Sequence, residues 1–551
     1  MLNRWKKFII QYGKTKRYMG ESTPPSKLFL REATGLVREL SWFSFFTYSM
    51  NILSIQFLLY YVASLVPLIG GSLFVGFSLY ALFMLLVSLL YYNFTVAMPR
   101  SGGDYVFVSR ALNPGVGFVS NFMQGILLLL FVGINGTIFI TIGLDALLGY
   151  LGVAFKNSAL LSVISFMSEP IPAFVIGFVY LIIMLALGIF LPPRYVFGLQ
   201  KVGWFTVMAA TIAMIAMLFV LSHSLYVSLF NSFVSQYKGV TTDYYNQIIS
   251  DASSAGWTLP PINSLSTGVL LFPAFALSGF LNWNAQIAGE VRNIKKSTVI
   301  AQFGSALIWL IVLAVFLLSL YHTIGFNFMS AIDYLFYNDP SKIPLPAYPY
   351  VTFLIAIVSN PIVALIILIP IMIEYVLYPL AIYYYMSRGL LAYSMDRILP
   401  AWFGHVSERT HTPINAMITA TVASLVMFIF VVLPATAPYA LLLSSVYTWG
   451  SAIFPVFFVA LSAFIVKYTR PRVHELLPIK GLALRFISII VMILSATIVY
   501  FQLTNPVYGA NSPTAIEMIV GTALLLSIIY IVVRLRKGKE FTLVFGEIPP
   551  E

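Results

Sequence analysis

Apolar blocks about as long as a bilayer is thick, separated by polar connections, run from near Ser41 almost to the end of the chain. A hydrocarbon core of about 30 Å needs roughly 20 apolar residues in an α-helix. Such blocks fall at about 41–66, 71–97, 116–149, 171–191, 199–222 and 266–288. They recur at about 298–323, 361–387, 413–433, 438–466, 484–503 and 514–534. The pattern predicts an all-α integral membrane protein of about twelve transmembrane helices. Two connections, roughly 223–265 and 324–350, are long and rich in Ser, Tyr, Asn and Pro, and are expected as outer loops.

Two blocks break the apolar pattern. Span 1 contains Ser49, Asn51, Ser54 and Gln56 within eight residues. Lipid contact does not explain them. Hydrogen bonding to a neighbouring helix does, and so does a broken helix lining a binding site. Span 6 contains Pro273 and Gly279 in Phe272-Pro273-Ala274-Phe275-Ala276-Leu277-Ser278-Gly279-Phe280, which predicts an interruption there too. The two irregular spans are five apart. An odd offset means that a repeat of spans 1–5 onto 6–10 is inverted in the membrane, with discontinuous helices at equivalent positions. Half-helix amino ends attract a carboxylate and unwound carbonyls hold an ammonium group, so the geometry suits a zwitterion.

Composition supports the membrane reading. The chain has 551 residues, 60% hydrophobic and 9% charged, against about 25% charged in soluble domains. Its net charge of +12 is a topology signal. With the amino terminus inside, only Lys156, Lys238 and Lys342 of the 31 Lys and Arg fall on the outer side. Both termini are therefore expected in the cytoplasm, with anionic lipid and not nucleic acid as the partner of the positive charge. Residues 1–20 hold only Phe8-Ile9-Ile10 as an apolar stretch, too short for a signal-peptide core, so span 1 is expected to act as its own insertion signal. The expected organisation is a tail over 1–40, a ten-helix core over 41–466, two further helices over 467–535 and a tail over 536–551.

The chemistry of soluble enzymes is missing. Cysteine is absent, and there is no GxSxG, Walker A, GxGxxG or HExxH pattern. No metal site or cofactor is expected. Without a nucleotide-binding segment, transport must run on a gradient or on exchange. Apart from Glu517 in the first turn of the last expected span, two carboxylates lie within the expected spans. Asp145 sits near the outer end of span 3, where it reaches water. Glu374 lies mid-span in Ile371-Met372-Ile373-Glu374-Tyr375, where a carboxylate must be protonated, paired or in a wet cavity. It is the candidate for coupling transport to a proton, the alternative being a structural hydrogen bond.

Three stretches carry a family resemblance. The first is Met98-Pro99-Arg100-Ser101-Gly102-Gly103-Asp104-Tyr105 with Arg110-Ala111-Leu112. The second is Phe275 to Phe280 with Gly289-Glu290-Val291-Arg292-Asn293. The third is Ser387-Arg388-Gly389-Leu390-Leu391-Ala392-Tyr393-Ser394-Met395-Asp396-Arg397, followed by Leu399-Pro400 and Thr412-Pro413-Ile414-Asn415-Ala416. In this order they resemble the amino acid–polyamine–organocation superfamily of secondary transporters. The resemblance implies a LeuT-like five-plus-five inverted repeat with two extra helices, and a substrate held among spans 1, 3, 6, 8 and 10. It implies that Asn51, Ile52, Ser54, Ile55 and Gln56 meet the substrate, with Phe275, Ala276, Leu277, Ser278 and Gly279 opposite them. Ser54-Ile55-Gln56 departs from the small-residue motif usual in span 1, and Ile294 follows Asn293 where a proline is usual. Ala209 stands where some proton-coupled members carry lysine, and Pro379-Leu380-Ala381-Ile382 lacks the hydroxyls of sodium-coupled relatives. The reading that follows is a cell-membrane amino acid permease. A polyamine or other amine permease is the alternative, and a membrane-embedded enzyme a distant one.

Overall fold

The computed structural model describes residues 36–53, 55–276, 281–433, 453–508 and 511–544. Among them the structure is helical throughout, with one isolated backbone bridge between Leu40 and Val291. The first part of the chain forms α1 (Trp42–Leu53), α2 (Ile55–Ile69), α3 (Leu73–Ala97), α4 (Gly103–Ala111) and α5 (Pro114–Ile138). A π turn over Phe139–Leu144 continues α5 into α6 (Asp145–Ala154). Then come α7 (Ser158–Met167), α8 (Pro170–Phe190), α9 (Pro193–Val220), α10 (His223–Lys238), α11 (Tyr244–Ser254) and α12 (Leu265–Ala276). A 3₁₀ segment follows over Leu281–Glu290. The second part has α13 (Ile294–Val299), α14 (Ser305–Leu320), α15 (Phe326–Asn338), α16 (Val351–Ala356), α17 (Pro361–Met395) and α18 (Ile414–Val432). It ends with α19 (Phe454–Thr469), α20 (Pro471–Leu476), α21 (Gly481–Thr504) and α22 (Pro513–Val544).

Local sequence explains where several of these helices begin. Asn113 precedes Pro114, and its side chain accepts from the N–H groups of Gly115 and Val116. Asn360 before Pro361 does the same for Ile362 and Val363. Asparagine satisfies first-turn donors, while proline at the first helical position loses no bond that the helix would have made.

Among the described residues, nine helical stretches are long and apolar enough to cross a bilayer. They coincide with nine of the twelve expected blocks. The other three contain shorter helices. The first holds α1 and α2 on either side of Ser54, and the sixth holds α12 with the 3₁₀ segment. In the tenth, α19 is preceded by residues 434–452, outside the described residues.

Helix faces divide as membrane burial requires. On α8, Ile171, Val175, Phe178, Val179 and Ile182 are exposed, while Gly177, Tyr180, Leu181, Met184 and Gly188 are buried. Both faces are apolar, so the protein-facing side is marked by small and shape-fitting residues instead of by hydrophobicity. Gly133 shows how close helices come. A Cβ there would meet the carbonyl oxygen of Ser424 on α18 at 2.5 Å.

The long connections differ from the expectation of loops. Most of 223–265 is helix, α10 and α11, and α15 fills half of 324–350. On α10, Tyr226, Phe230, Phe233 and Val234 are buried at helical spacing. The Ser- and Asn-rich remainder of each turn masks that stripe, because it averages with the apolar face over the whole connection.

Candidate functional site

At Ser49, span 1 meets span 6. The Asn284 amide donates to Ser49 Oγ at 2.8 Å, and Gln302 donates to Asn284 Oδ1 at 2.6 Å. Ser49 in turn donates to the Phe45 carbonyl at 2.8 Å. This ladder ties α1 to the 3₁₀ segment and to the π turn over Ile300–Gly304. A ten-residue 3₁₀ run is unusual, because its hydrogen-bond geometry is poorer than that of an α-helix. Span 6 is therefore α-helical up to Ala276 and 3₁₀ from Leu281 onward.

The residues expected to meet substrate divide into four groups. Asn51 is buried and already engaged: its amide donates to Gln200 O at 2.7 Å and Gln200 Oε1 at 2.5 Å, and Gln200 donates to the Leu377 carbonyl at 3.0 Å. Its polar side chain thus ties span 1 to spans 5 and 8, the interhelical bond weighed against a broken helix above. Ile52, Ile55, Phe275 and Ala276 are buried. Phe275 stacks on Tyr80 at 6.1 Å between ring centroids and meets Phe77 edge-on at 5.9 Å, while Trp309 donates to the Tyr80 hydroxyl at 2.8 Å. Gln56 lies on α2. Ser54, Leu277, Ser278 and Gly279 lie outside the described residues.

Both carboxylates expected within the membrane are buried. Asp145 is only 6% exposed, so it does not sit in open water at the outer end of its span. Glu374 is buried on α17, in an electrostatic cluster with the Tyr350 and Tyr375 hydroxyls, which lie 3.4 Å apart. A third, Asp333 on α15, is buried and interacts with Ser64. Sequence reasoning had placed Asp333 in a loop.

A cluster of buried ion pairs lies where the segments expected to carry the inner-side basic residues meet. Arg388 grips Glu290 through two hydrogen bonds, Nε–Oε1 at 2.8 Å and Nη2–Oε2 at 3.0 Å, and its guanidinium lies 4.2 Å from the Tyr384 ring centroid. Arg110 grips Asp396 in the same way, at 2.5 and 2.7 Å, and Tyr105 donates to the same carboxylate. All four charged groups are buried. The first pair joins the end of span 6 to span 8, and the second joins α4 to the end of span 8. Beside them, Tyr393 donates to Asn121, Asn121 to Tyr385 at 3.1 Å, and Tyr385 to Gln124 at 2.9 Å.

The first motif owes its glycines to this junction. Gly102 and Gly103 both have positive φ, 108° and 42°. A Cβ on Gly103 would stand 2.9 Å from the backbone nitrogen of Gln286, and Gly102 N–H donates to the Gln286 carbonyl at 3.0 Å. Two glycines therefore let α4 lie directly against the 3₁₀ segment. The chain before α1 crosses the same face: Leu40 N–H donates to Glu290 O at 3.0 Å, and Arg292 N–H donates to Leu40 O at 2.8 Å.

Asp104 completes the junction. It is fully buried, and neither carboxylate oxygen has a hydrogen-bonded partner. The Tyr91 hydroxyl and the Asn282 amide are its polar neighbours. Burial raises its carboxyl to about 7, and those two groups offset the rise only in part.

Arg110, Glu290, Arg388 and Asp396 all belong to the three stretches that carry the family resemblance. Sequence showed them as separate motifs; the fold brings them together. No curated protein matches the chain as a relative. The amino acid permease family profile matches it over residues 40–533. With the membrane-crossing helices and the convergence of the three motifs, that match places the chain in the amino acid permease (APC) family.

Proposed function

We propose that this transporter moves amino acids by alternating access, with spans 1 and 6 working around a site near the middle of the membrane. The observation that carries the reading is the change of helix type in span 6, beside the Ser49–Asn284–Gln302 ladder to span 1. Irregular backbone at membrane depth is stable only where it is buried in protein or lines a cavity. Twelve spans in a five-plus-five inverted repeat with two added helices account for the spacing of the two irregular spans. Both termini face the cytoplasm in this reading, because the basic residues then gather on the inner side.

The substrate site comprises the span 1 segment Asn51, Ile52, Ser54, Ile55 and Gln56 and the span 6 segment Phe275 to Gly279. With the Asn51 amide committed to Gln200, backbone groups of the two spans supply most of the polar recognition, and Phe275 supplies an apolar wall. A free helix amino end binds the substrate carboxylate and unpaired carbonyls bind the ammonium group. Transport runs on a proton gradient or on exchange, with Glu374 as the group that carries a coupled proton.

Thermal-shift screening of detergent-purified protein against the common amino acids and a few polyamines tests the substrate class. A ligand at about 100 times its dissociation constant adds roughly 2.7 kcal/mol. Graded shifts for chemically related amino acids support the reading; shifts for polyamines alone overturn it. In proteoliposomes, Glu374→Gln should flatten the pH dependence of uptake. An unchanged profile returns Glu374 to a structural role.

A further inference from the structure

Away from the span 1–span 6 region, a cavity of about 160 Å³ opens where α19, α20 and α21 meet at the basic end. Its walls differ in character. Lys467 from the last turn of α19, His474 from α20 and Arg485 from α21 line one part, while Ala463, Phe464 and Leu482 line the rest. Between residues 467 and 485 the chain carries Lys467, Arg470, Arg472, Lys480 and Arg485 against a single acid, Glu475. None of the five cations forms an ion pair among the described residues. His474 titrates below the usual histidine range, first through burial and then through Lys480, Lys467 and Arg485, with Glu475 opposing.

Arg485 is also held in place. Its guanidinium donates to the Tyr468 hydroxyl at 2.6 Å and lies 5.1 Å from that ring's centroid. Beyond the rim the surface turns apolar and open, with Phe486 66% exposed on α21. The cavity thus offers cations at the end of the shorter apolar α19 and at the start of the membrane-crossing α21, with the apolar Phe464, Leu482 and Phe486 beside them.

We propose that this cavity is a binding site for an anionic glycerophospholipid, whose phosphate meets Lys467 and Arg485 while an acyl chain lies along Phe464, Leu482 and Phe486. The depth fits, since phosphates sit just outside the hydrocarbon core at the ends of spanning helices, and basic pockets between such helices hold anionic headgroups. The apolar wall favours a lipid over a free anion, which has no use for it. The site requires only that the chain crosses a membrane; it does not depend on what is transported.

Native mass spectrometry of detergent-purified full-length protein tests the proposal, with dioleoylphosphatidylglycerol and dioleoylphosphatidylcholine as probes. The anionic lipid should bind and the zwitterionic lipid should not compete. Lys467→Gln with Arg485→Gln should weaken binding roughly thirtyfold, the loss expected for two basic contacts. Lys295→Gln with Lys296→Gln removes the same charge elsewhere at the basic end and should leave affinity unchanged. Equal losses in the two pairs, or none in the first, overturn the site in favour of a diffuse surface potential. Displacement of the lipid by millimolar inorganic phosphate overturns it in favour of a simple anion site. If the first pair fails to fold, Lys467→Gln alone, at an exposed position, should still lower affinity about fivefold, and no loss overturns the proposal.

Discussion

Asp104 and Asn51 show what a buried polar group commits a membrane protein to. Asp104 is fully buried: Tyr91 faces it from α3 and Asn282 from the 3₁₀ segment, and its charge reaches Tyr385 and Tyr393 on α17. The cations nearby are spoken for, Arg388 by Glu290 and Arg110 by Asp396. With its folded pKa raised to about 7 from 3.8, its stabilising contribution is complete below the unfolded value and is lost as pH rises through 7. Asp104→Asn should therefore melt progressively higher than the parent as pH climbs from 5 to 8. A constant difference across that range, followed by calorimetry or dye-free fluorimetry, sinks the assignment. Asn51 makes a different commitment. Asn51→Leu strands Gln200 Oε1 in the interior at a cost of about 1–3 kcal/mol, so it should lower the melting temperature as well as transport. Gln200→Leu should cost a similar amount, and the double variant should fall short of the sum if the two side chains act together.

At the scale of elements, the junction of α4 with the 3₁₀ segment depends on backbone approach. Gly103→Ala forces a side chain into a left-handed conformation and against the Gln286 backbone, a cost of about 1–3 kcal/mol. Gly198 is the natural control, since it lies within α9 with nothing within 4 Å of a Cβ. There the same substitution should be neutral or stabilising by up to about 1 kcal/mol. Opposite signs in melting temperature are expected; matching signs remove the close-approach explanation. The same junction explains the Gly-Gly of the first motif. Its partner is the segment that changes helix type, so the element that bears the motif is packed on the element with the least regular backbone.

At the scale of the molecule, the two buried ion pairs clasp span 6 and α4 to span 8 at the basic end. Breaking such a pair by removing one partner costs about 3–5 kcal/mol, and part of that cost should appear as opening of this end. The chain has no cysteine, so a single introduced thiol reports without background. Ala285→Cys, at a fully buried position in the 3₁₀ segment, should react slowly with a water-soluble maleimide. Adding Arg388→Ala should speed the reaction about tenfold, which needs about 1.4 kcal/mol. An unchanged rate in folded protein means that the clasp does not govern access from this side.

The positions of the long helices were largely legible from the chain because an apolar block of about twenty residues has one stable fate in lipid. Among the described residues, nine long helices fall on nine expected blocks. Span 6 was expected to be irregular, but Pro273 lies inside α12 and Gly279 outside the described residues; the irregularity observed is the 3₁₀ segment from Leu281. What a polar residue does was not legible. Asn51 reads the same whether it faces a substrate or Gln200, which is 149 positions away. Asp333 was lost inside a loop that is half helix. Arg110, Glu290, Arg388 and Asp396 stood out only as pieces of three motifs, because the partner that neutralises each lies across the fold. Sequence determined which segments leave water; only the tertiary structure decided which polar groups that left with them found a partner, because that partner is set by proximity in space and not along the chain.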